Sequence, residues 1–523
     1  MTRSRARRLS TRSAAAGILL TGLLAAPASA REDKPGETAG TVARTAGDAR
    51  FEPGPCPRTP EPLAVLEGAR CGTLTVPENR SEPDSRTITL GVAIVAAAAA
   101  GKPQPDPIVW LAGGPGDDAV GEAKMAIDGG LNRDRDVIFM SQRGTYSADP
   151  ALTCRIVDEF NARVVGLVYD APATERRHVE ATRSCRGHLV ERGADLAAYN
   201  DIESAADYAD LRRTLNIRQW NVFGISYGTH LALVYMRDHP QGIRSVGIDG
   251  ILPPSTAGSA LTWSSARQGF DGLFKACAEQ PACNRRYPDL SATFERLVRD
   301  LEAKPVTTTV TPPGSPNPVK VVLDGGALVN WLSFATHLAP GVPRSLDELA
   351  RGDPRRVAEQ WAGGRINPRT FGRTSHGLAY GVFCREWVPY ESEAEALRGG
   401  LAAFPAFPRS VLAQAPQLTF LRSDCAAWDL PAAPRSIRDV TRSDIPTLAL
   451  SGGFDSQTGA GNGPYVARTL PRATVVTVPY EPHVVFATSK CAQSITVSFF
   501  DAPTAPDTGC LKDLKPPAFE IAP

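Results

Sequence analysis

Short apolar runs that favour β-strands alternate with helical patterns along much of this chain, and this alternation constrains the fold more than any other feature. Because strands connected through helices run parallel in one sheet, the pattern predicts an α/β fold with helices on both faces of a mostly parallel central sheet. Between Asn200 and Asn216 apolar residues recur at helical spacing, which predicts a crossover helix. The predicted strands are 72–76, 87–95, 108–111, 137–140, 220–223, 245–248, 446–450 and 475–478.

The pattern changes after the strand at 245–248. Residues 253–440 indicate several amphipathic helices with a Pro/Thr-rich break at 306–318, and strand-like runs return only at residue 446. The economical interpretation is a single sheet, interrupted by a helical cap at 253–440, with core segments 56–252 and 441–523. A chain of 523 residues is long enough for an α/β domain with one large insertion of this kind.

The first 30 residues have the three parts of an export signal, which are five arginines, an apolar run and the cleavage motif Ala28-Ser29-Ala30. The apolar run, Ala14 to Ala26, is shorter than the ~20 residues that span a bilayer. We therefore expect a cleaved signal peptide at 1–30 and a secreted protein without a membrane span. Residues 31–55 are polar, rich in glycine and proline and without periodicity, which predicts a flexible leader.

Charge excludes one class of partner. The chain has 57 basic and 56 acidic side chains, and loss of the five signal arginines leaves a net charge of about −4. Because no basic stripe is present, we expect no nucleic-acid partner.

Ten cysteines fit an oxidising compartment, where thiols tend to pair. Ten cysteines allow about 945 pairings, and nearest-neighbour pairing is the simplest of them. Those pairs are Cys56–Cys71, Cys154–Cys185, Cys277–Cys283, Cys384–Cys425 and Cys491–Cys510. Since the chain has no C-x-x-C pair, no H-E-x-x-H motif and only seven scattered histidines, we expect no metal site and no cofactor.

The strongest local motif is G-x-S-x-G at 224–228, directly after an apolar strand and before a helix-compatible run. Glycines at 224 and 228 allow a sharp strand-to-helix turn that exposes the Ser226 hydroxyl. We interpret Ser226 as a nucleophile for acyl transfer. An ordinary glycine and serine turn is the alternative.

Ser226 needs a general base, and chains with this motif carry their triad in the order serine, acid, histidine. Asp455 and His483 each follow a late predicted strand, at the sheet edge where sites of parallel sheets collect. His483 is the only histidine after Asp455, whereas the others, His230 included, are interpreted as solvated or structural. Asp249, which ends another strand, is the rival acid.

An acyl-transfer site also needs hydrogen-bond donors where negative charge develops on the oxyanion. The run Ala112-Gly113-Gly114-Pro115-Gly116 follows a strand and leaves backbone N–H groups free of side-chain bulk. We expect one donor to be the Gly114 N–H and the other the Tyr227 N–H, directly after the nucleophile. A tight glycine and proline turn is the alternative for the first.

Several further stretches together carry a resemblance to a known family. They are Gly113–Gly116, Gln142–Thr145, Gly224–Gly228, Asp249–Gly250, the Cys277–Cys283 pair with Tyr287–Pro288, Phe383–Glu386, and the closing Cys491 and Cys510. The chain resembles the secreted tripeptidyl- and prolyl-aminopeptidase branch of the α/β-hydrolases, which has a helical cap and a TAP-like C-terminal segment. The likeness runs from about Cys71 to Cys510. It implies the α/β-hydrolase fold and acyl transfer from peptides.

Departures from the family pattern leave the triad positions intact but bear on the substrate and on the support of the oxyanion loop. They fall at Ala112, Ser141, Ser456, Gly459, Pro482 and Val484, where the family usually has histidine, an acid, two prolines and two glycines. Glu386 matches the acidic position of the family's cap motif. The resemblance therefore implies that Glu386 binds the free amino terminus of a substrate. Pairing of an exposed Glu386 with a nearby arginine is the alternative.

These expectations converge on a secreted serine hydrolase that releases N-terminal residues or short peptides through an acyl-enzyme. A carboxylic-ester hydrolase, either an esterase or a lipase, with the same triad is the first alternative, because the fold alone does not choose between peptide and small ester substrates. The second alternative is a surface binding protein built on a hydrolase scaffold that has lost activity.

Overall fold

The computed structural model describes residues 49–313, 315–366 and 371–521. The predicted signal peptide at 1–30 and the leader up to residue 48 lie outside the described residues. The strands are β1 (Arg50–Pro53), β2 (Arg70–Pro77), β3 (Thr87–Val95), β4 (Ile108–Leu111), β5 (Val137–Met140), β6 (Ala148–Asp149), β7 (Trp220–Ile225), β8 (Ile243–Asp249), β9 (Val306–Val310), β10 (Val319–Leu323), β11 (Thr447–Gly452) and β12 (Ala473–Val478).

One large sheet has the order β1-β2-β3-β5-β4-β7-β8-β11-β12, with β6 beside β3. Neighbouring strands from β5 to β12 in this order are parallel, whereas β1, β2, β3 and β6 pair antiparallel. The mostly parallel α/β sheet predicted from the alternation of strands and helices is therefore confirmed.

The helices of the described residues connect these strands or follow them in the chain. They are α1 (Ala123–Asp128), α2 (Arg155–Arg163), α3 (Pro172–Glu191), α4 (Asp201–Thr214), α5 (Tyr227–Asp238), α6 (Ser259–Ala278), α7 (Pro281–Arg286), α8 (Leu290–Ala303), α9 (Gly325–Ala335), α10 (Val342–Ala350), α11 (Arg355–Gly363), α12 (His376–Val382), α13 (Glu393–Ala403), α14 (Arg409–Ala413), α15 (Leu421–Trp428), α16 (Asn462–Ala467), α17 (Val485–Thr488) and α18 (Lys490–Asp501). Successive side chains of β4 alternate between two hydrophobic cores, because side chains on a strand point to opposite faces. Val109 and Leu111 pack into one core, and Ile108 and Trp110 pack into the other. The central strands are thus buried on both sides, as their continuous apolar sequences require.

The long segment between β8 and β11 leaves the sheet and returns to the adjacent position. Thr447 of β11 pairs directly with Val246 of β8, although the helices α6 to α15 lie between them in sequence. A two-stranded antiparallel sheet of β9 and β10 interrupts these helices. The expectation of a simple Pro/Thr-rich break at 306–318, with no strand before residue 446, was therefore wrong. The β-branched Val306–Val310 and Val319–Leu323 pair with each other, and the prolines lie in the turn between them.

The leader prediction also needs a correction at its C-terminal end. Arg50–Pro53 forms β1, which pairs with Gly72–Thr75 of β2 at the edge of the sheet. A polar four-residue strand shows no periodicity of its own. Its order comes from the backbone groups of the neighbouring strand, which a sequence pattern does not display.

The ten cysteines form the five nearest-neighbour pairs that the sequence order predicts, with S–S distances of 1.92 to 2.02 Å. Cys384–Cys425 joins the helical segment Phe383–Trp387 to α15 within the segment between β8 and β11. Within the described part of the chain, no helix is both long enough and apolar enough to cross a bilayer.

Candidate active site

Ser226 lies at the sharp turn between β7 and α5. Its backbone has φ 51° and ψ −124°, a conformation that costs free energy for a residue with a side chain and that recurs at functional sites. The turn needs its two glycines. A Cβ atom at Gly224 would lie 2.3 Å from the Gly228 carbonyl oxygen, and one at Gly228 would lie 2.2 Å from the Leu111 carbonyl oxygen. The sequence therefore folds this turn only with glycine at both positions.

The three predicted triad side chains lie in hydrogen-bond contact. His483 Nε2 lies 2.8 Å from Ser226 Oγ, and His483 Nδ1 lies 2.9 Å from Asp455 Oδ2. Asp455 follows β11 and His483 follows β12, so parallel pairing of these strands brings both residues to the edge where β7 ends. His483 and Asp455 are buried, whereas Ser226 is partly exposed. A substrate could therefore reach the hydroxyl but not the carboxylate.

Local contacts hold the Asp455 carboxylate in its ionised form. Its Oδ1 accepts the N–H groups of Gln457 and Thr458 at 2.8 Å each, and its Oδ2 accepts the Thr458 hydroxyl at 2.7 Å. Burial alone would raise the pKa of Asp455, but the His483 charge and these hydrogen bonds outweigh burial and lower it.

Burial favours the neutral imidazole and would lower the pKa of His483, but the charge of Asp455 and its hydrogen bond to the ring outweigh that effect. The pKa of His483 is therefore raised above 6.5. Asp455 therefore stabilises the imidazolium that forms when the His483 ring takes up a proton.

Asp249, the rival acid, serves another purpose. Its side chain accepts the N–H groups of Val485 at 3.2 Å and Phe486 at 2.8 Å, two and three residues after His483. Burial raises the pKa of Asp249 to about 7. Asp249 therefore holds the segment that follows His483 and makes no contact with the imidazole nitrogens that the triad uses.

The glycine loop after β4 lies against the nucleophile. A Cβ atom at Gly113 would lie 3.3 Å from Ser226 Cβ, and Gly114 has φ +109°, which only glycine adopts readily. Tyr227 is the first residue of α5, so its N–H has no acceptor within the helix. Both predicted oxyanion donors thus lie in segments that border Ser226.

Glu122 supports this loop from behind. Its Oε2 accepts the Trp110 indole N–H at 2.6 Å, and its carboxylate also accepts the Gly113 N–H. Burial raises the pKa of Glu122 to about 8, and the nearby Asp117 charge adds to the rise. The loop is therefore anchored although the family's histidine is replaced by Ala112.

The structure does not support Glu386 as a contact for a substrate ammonium group. Its side chain is fully buried, its Oε1 accepts the Asp201 N–H at 2.9 Å, and its Oε2 lies 3.7 Å from His230 Nε2. A carboxylate enclosed by α4 and α5 cannot meet a substrate without unfolding its surroundings. His230 itself is 1% exposed, as expected of a structural histidine.

Sequence reasoning missed Thr458, Glu122 and His337. Thr458 has a weak signal, since it lies three residues after the acid at helical or turn spacing. Glu122 has none, because its contact with the loop depends on how α1 packs against β4. His337 lies close enough to His483 and Asp455 to interact electrostatically with both, and partial desolvation together with the His483 charge lowers its pKa.

The chain matches the family model described as alpha/beta hydrolase fold over residues 106–489. The serine protease Hip1 of Mycobacterium tuberculosis is 24% identical over 486 residues, which cover 87% of this chain and 89% of that protein. The tripeptidyl aminopeptidase of Streptomyces coelicolor is 24% identical over 193 residues, 36% of each chain. A solved structure of the proline iminopeptidase of Mycobacterium smegmatis aligns with a TM-score of 0.39 and 14% identity, covering 83% of this chain and 98% of that one.

The two relatives found by sequence support the peptidase-like branch of the α/β-hydrolases that the motifs indicated. The family match spans most of the chain, including Ser226, Asp455 and His483. The chain therefore belongs to the α/β-hydrolase family, and the relatives it resembles include serine peptidases.

Proposed function

We propose that this protein is a secreted serine aminopeptidase that cleaves short peptides near their free amino end through an acyl-enzyme. The observation that carries the proposal is the continuous contact from Asp455 through His483 to Ser226 at a strained, partly exposed turn. The peptidase relatives support a peptide substrate. The five disulfides support an oxidising compartment.

In the proposed reaction Ser226 Oγ attacks the carbonyl carbon of the scissile bond while His483 Nε2 takes the hydroxyl proton. Asp455 keeps the imidazole in the right tautomer and stabilises the imidazolium. The Gly114 and Tyr227 N–H groups donate to the oxyanion of the tetrahedral intermediate. As the carbon–nitrogen bond breaks, His483 gives its proton to the leaving amine, and a water activated by the same imidazole then releases the acyl group.

Recognition of a free amino terminus requires a carboxylate other than Glu386. One cavity has an aromatic wall that includes Phe334 and Phe383, and Asp424 is the single carboxylate of its described lining. His376 also lines it, and the preceding residue Ser375 donates its N–H to the Gly116 carbonyl oxygen at 2.8 Å. Asp424, however, is only 2% exposed, accepts the hydroxyls of Thr182 at 2.8 Å and Tyr380 at 3.4 Å, and has His178 Nδ1 at 3.1 Å. It is therefore no more accessible to a substrate ammonium group than Glu386.

The testing experiment compares tripeptidyl anilides with free and acetylated amino termini and simple acyl esters on the purified protein. We expect cleavage of the free peptides, with acetylation lowering kcat/KM. Hydrolysis of esters alone would contradict the peptidase proposal and support the ester-hydrolase alternative.

A fluorophosphonate probe separates both enzymes from an inactive binding protein. Labelling at Ser226, abolished in Ser226→Ala, is expected of an activated serine. A folded protein that takes no label would contradict the proposed function.

A further inference from the structure

A second buried cluster joins the sheet's helices to the segment between β8 and β11. It consists of Asp201 at the start of α4, His230 in α5 and Glu386 in the helical segment Phe383–Trp387, with exposures of 0, 1 and 0%. His230 Nε2 lies 3.0 Å from Asp201 Oδ2 and 3.7 Å from Glu386 Oε2. These three atoms all lie within 4.8 Å of one another.

The atoms that face each other in this cluster have no hydrogen-bond partner of acceptable geometry among the described residues. The outer oxygens, in contrast, are held in place. Asp201 Oδ1 accepts the Tyr227 hydroxyl, and Glu386 Oε1 accepts the Asp201 N–H at 2.9 Å. Each carboxylate is thus held through one oxygen, and its other oxygen faces His230 Nε2 without an aligned hydrogen bond. Donors behind the ligating atom orient metal ligands in the same way.

A cation at this cluster would replace protons. The charge of Asp201 outweighs burial and raises the pKa of His230 to about 9, and burial raises the pKa of Glu386 to about 8, so protons on these two groups balance the charge of the metal-free cluster. Arg438 is the nearby guanidinium, and it donates to backbone carbonyl oxygens, including that of Glu386 at 3.3 Å. The carboxylate oxygens that face His230 are therefore not neutralised by it.

We propose that Asp201, His230 and Glu386 bind one divalent transition-metal ion, with Zn²⁺ as the best match. One imidazole nitrogen with two carboxylate oxygens is a ligand set that Zn²⁺ accepts. Bonds of ~2.0–2.2 Å in tetrahedral geometry separate adjacent ligand atoms by roughly 3.4 Å, close to the 3.0 and 3.7 Å measured from His230 Nε2. Three protein ligands leave one coordination position for a buried water molecule.

The ion would link α4 and α5 to the segment between β8 and β11. Tyr227, whose hydroxyl holds Asp201, also carries one of the proposed oxyanion donors. The ion's expected effect is to stabilise the folded protein, since a metal that binds only the native state raises its stability. The proposal does not depend on the proposed peptidase activity, and its tests measure metal and melting temperature alone.

The experiment uses the full chain, produced without a histidine tag. Metal analysis of the purified protein should find about one Zn²⁺ per chain. Chelator-treated protein titrated with Co²⁺ should develop the visible absorption of a Co²⁺ ion in a low-symmetry site, and added Zn²⁺ should raise the melting temperature and quench that absorption. His230→Gln and Glu386→Gln should each lose the metal, whereas Glu393→Gln, a change at an exposed glutamate, should retain it.

The wild-type Co²⁺ titration tests the proposed metal site even where a variant fails to fold. A wild-type protein with less than about a tenth of an ion per chain, without Co²⁺ absorption and without a change in melting temperature, would overturn the proposal. Protons shared among the three side chains would then hold the cluster together.

Discussion

Two buried histidines show how similar side chains come to suit different chemistry. His483 lies in a loop at the sheet edge, and both ring nitrogens have aligned partners, one of them the partly exposed Ser226 hydroxyl. His230 lies within α5, and neither ring nitrogen has an aligned partner among the described residues. A line of directed hydrogen bonds that ends at an accessible nucleophile suits proton transfer. Ligand atoms that converge in a closed space without aligned hydrogen bonds suit a bound cation. The difference comes from what surrounds each imidazole, since both have a carboxylate at about 3 Å.

The largest expected effect is a loss of turnover at the site around Ser226. Ser226→Ala should lower kcat ~10⁶-fold, because the residual rate then comes only from binding and the oxyanion donors. The measurement is turnover of a tripeptidyl anilide by protein whose circular dichroism is native. Turnover that persists at the wild-type level would exclude Ser226 as the nucleophile.

Next, Asp455→Asn and Asp249→Asn compare the two acids near His483. Asp455→Asn should cost ~10⁴-fold in kcat, because the imidazole loses its orienting charge and favours the wrong tautomer. Asp249→Asn should cost at least a hundredfold less, since Asp249 contacts the backbone after His483 rather than its ring. Steady-state kinetics on both variants give the ratio, and equal losses would contradict the assignment of Asp455.

A third prediction concerns stability at the second cluster. His230→Ala should lower the free energy of unfolding by ~3–5 kcal/mol, because it leaves two buried carboxylates facing each other. Urea denaturation with disulfides intact measures the change. Glu393→Gln, on the exposed surface, is the control and should change stability by less than about 0.5 kcal/mol. A His230→Ala protein as stable as the control would show that the cluster carries little energy.

The smallest effect is a displacement of the pH profile. His483 must be neutral to accept the Ser226 proton, and its pKa is raised, so kcat/KM should fall on acidification with a midpoint above pH 6.5. Below the midpoint the rate should drop about tenfold per pH unit, as for a single titrating base. His230→Gln should leave the midpoint in place. A midpoint below pH 6, or a flat profile, would contradict a histidine base in contact with an ionised Asp455.

Local sequence pattern was sufficient for the central strands. Strands β3, β4 and β5 have the predicted ends, because continuous β-branched and apolar runs leave little choice of boundary. The pattern was insufficient for β1 and for the β9–β10 pair. Those strands are short and partly polar, and each is ordered by a neighbour rather than by its own composition.

Burial was the property that sequence reasoning could not provide for Glu386. A match to a family motif gave its position in the chain but not what surrounds its carboxylate. The structure places it beside Asp201 and His230, which lie 185 and 156 residues earlier in the sequence. No spacing rule connects three residues on separate elements, so neither the failed substrate contact nor the candidate metal site was visible beforehand.

The sequence by itself determined the doubly covered sheet, the glycine-bounded turn at Ser226 and the order of Ser226, Asp455 and His483. Each of these follows from residues that are close in sequence, or from the rule that parallel strands end at one edge. Only the tertiary structure decided which buried acids lie next to His230. That outcome depends on how helices of the core pack against the long segment between β8 and β11, and such packing is set by the whole surface in contact rather than by any local run of residues.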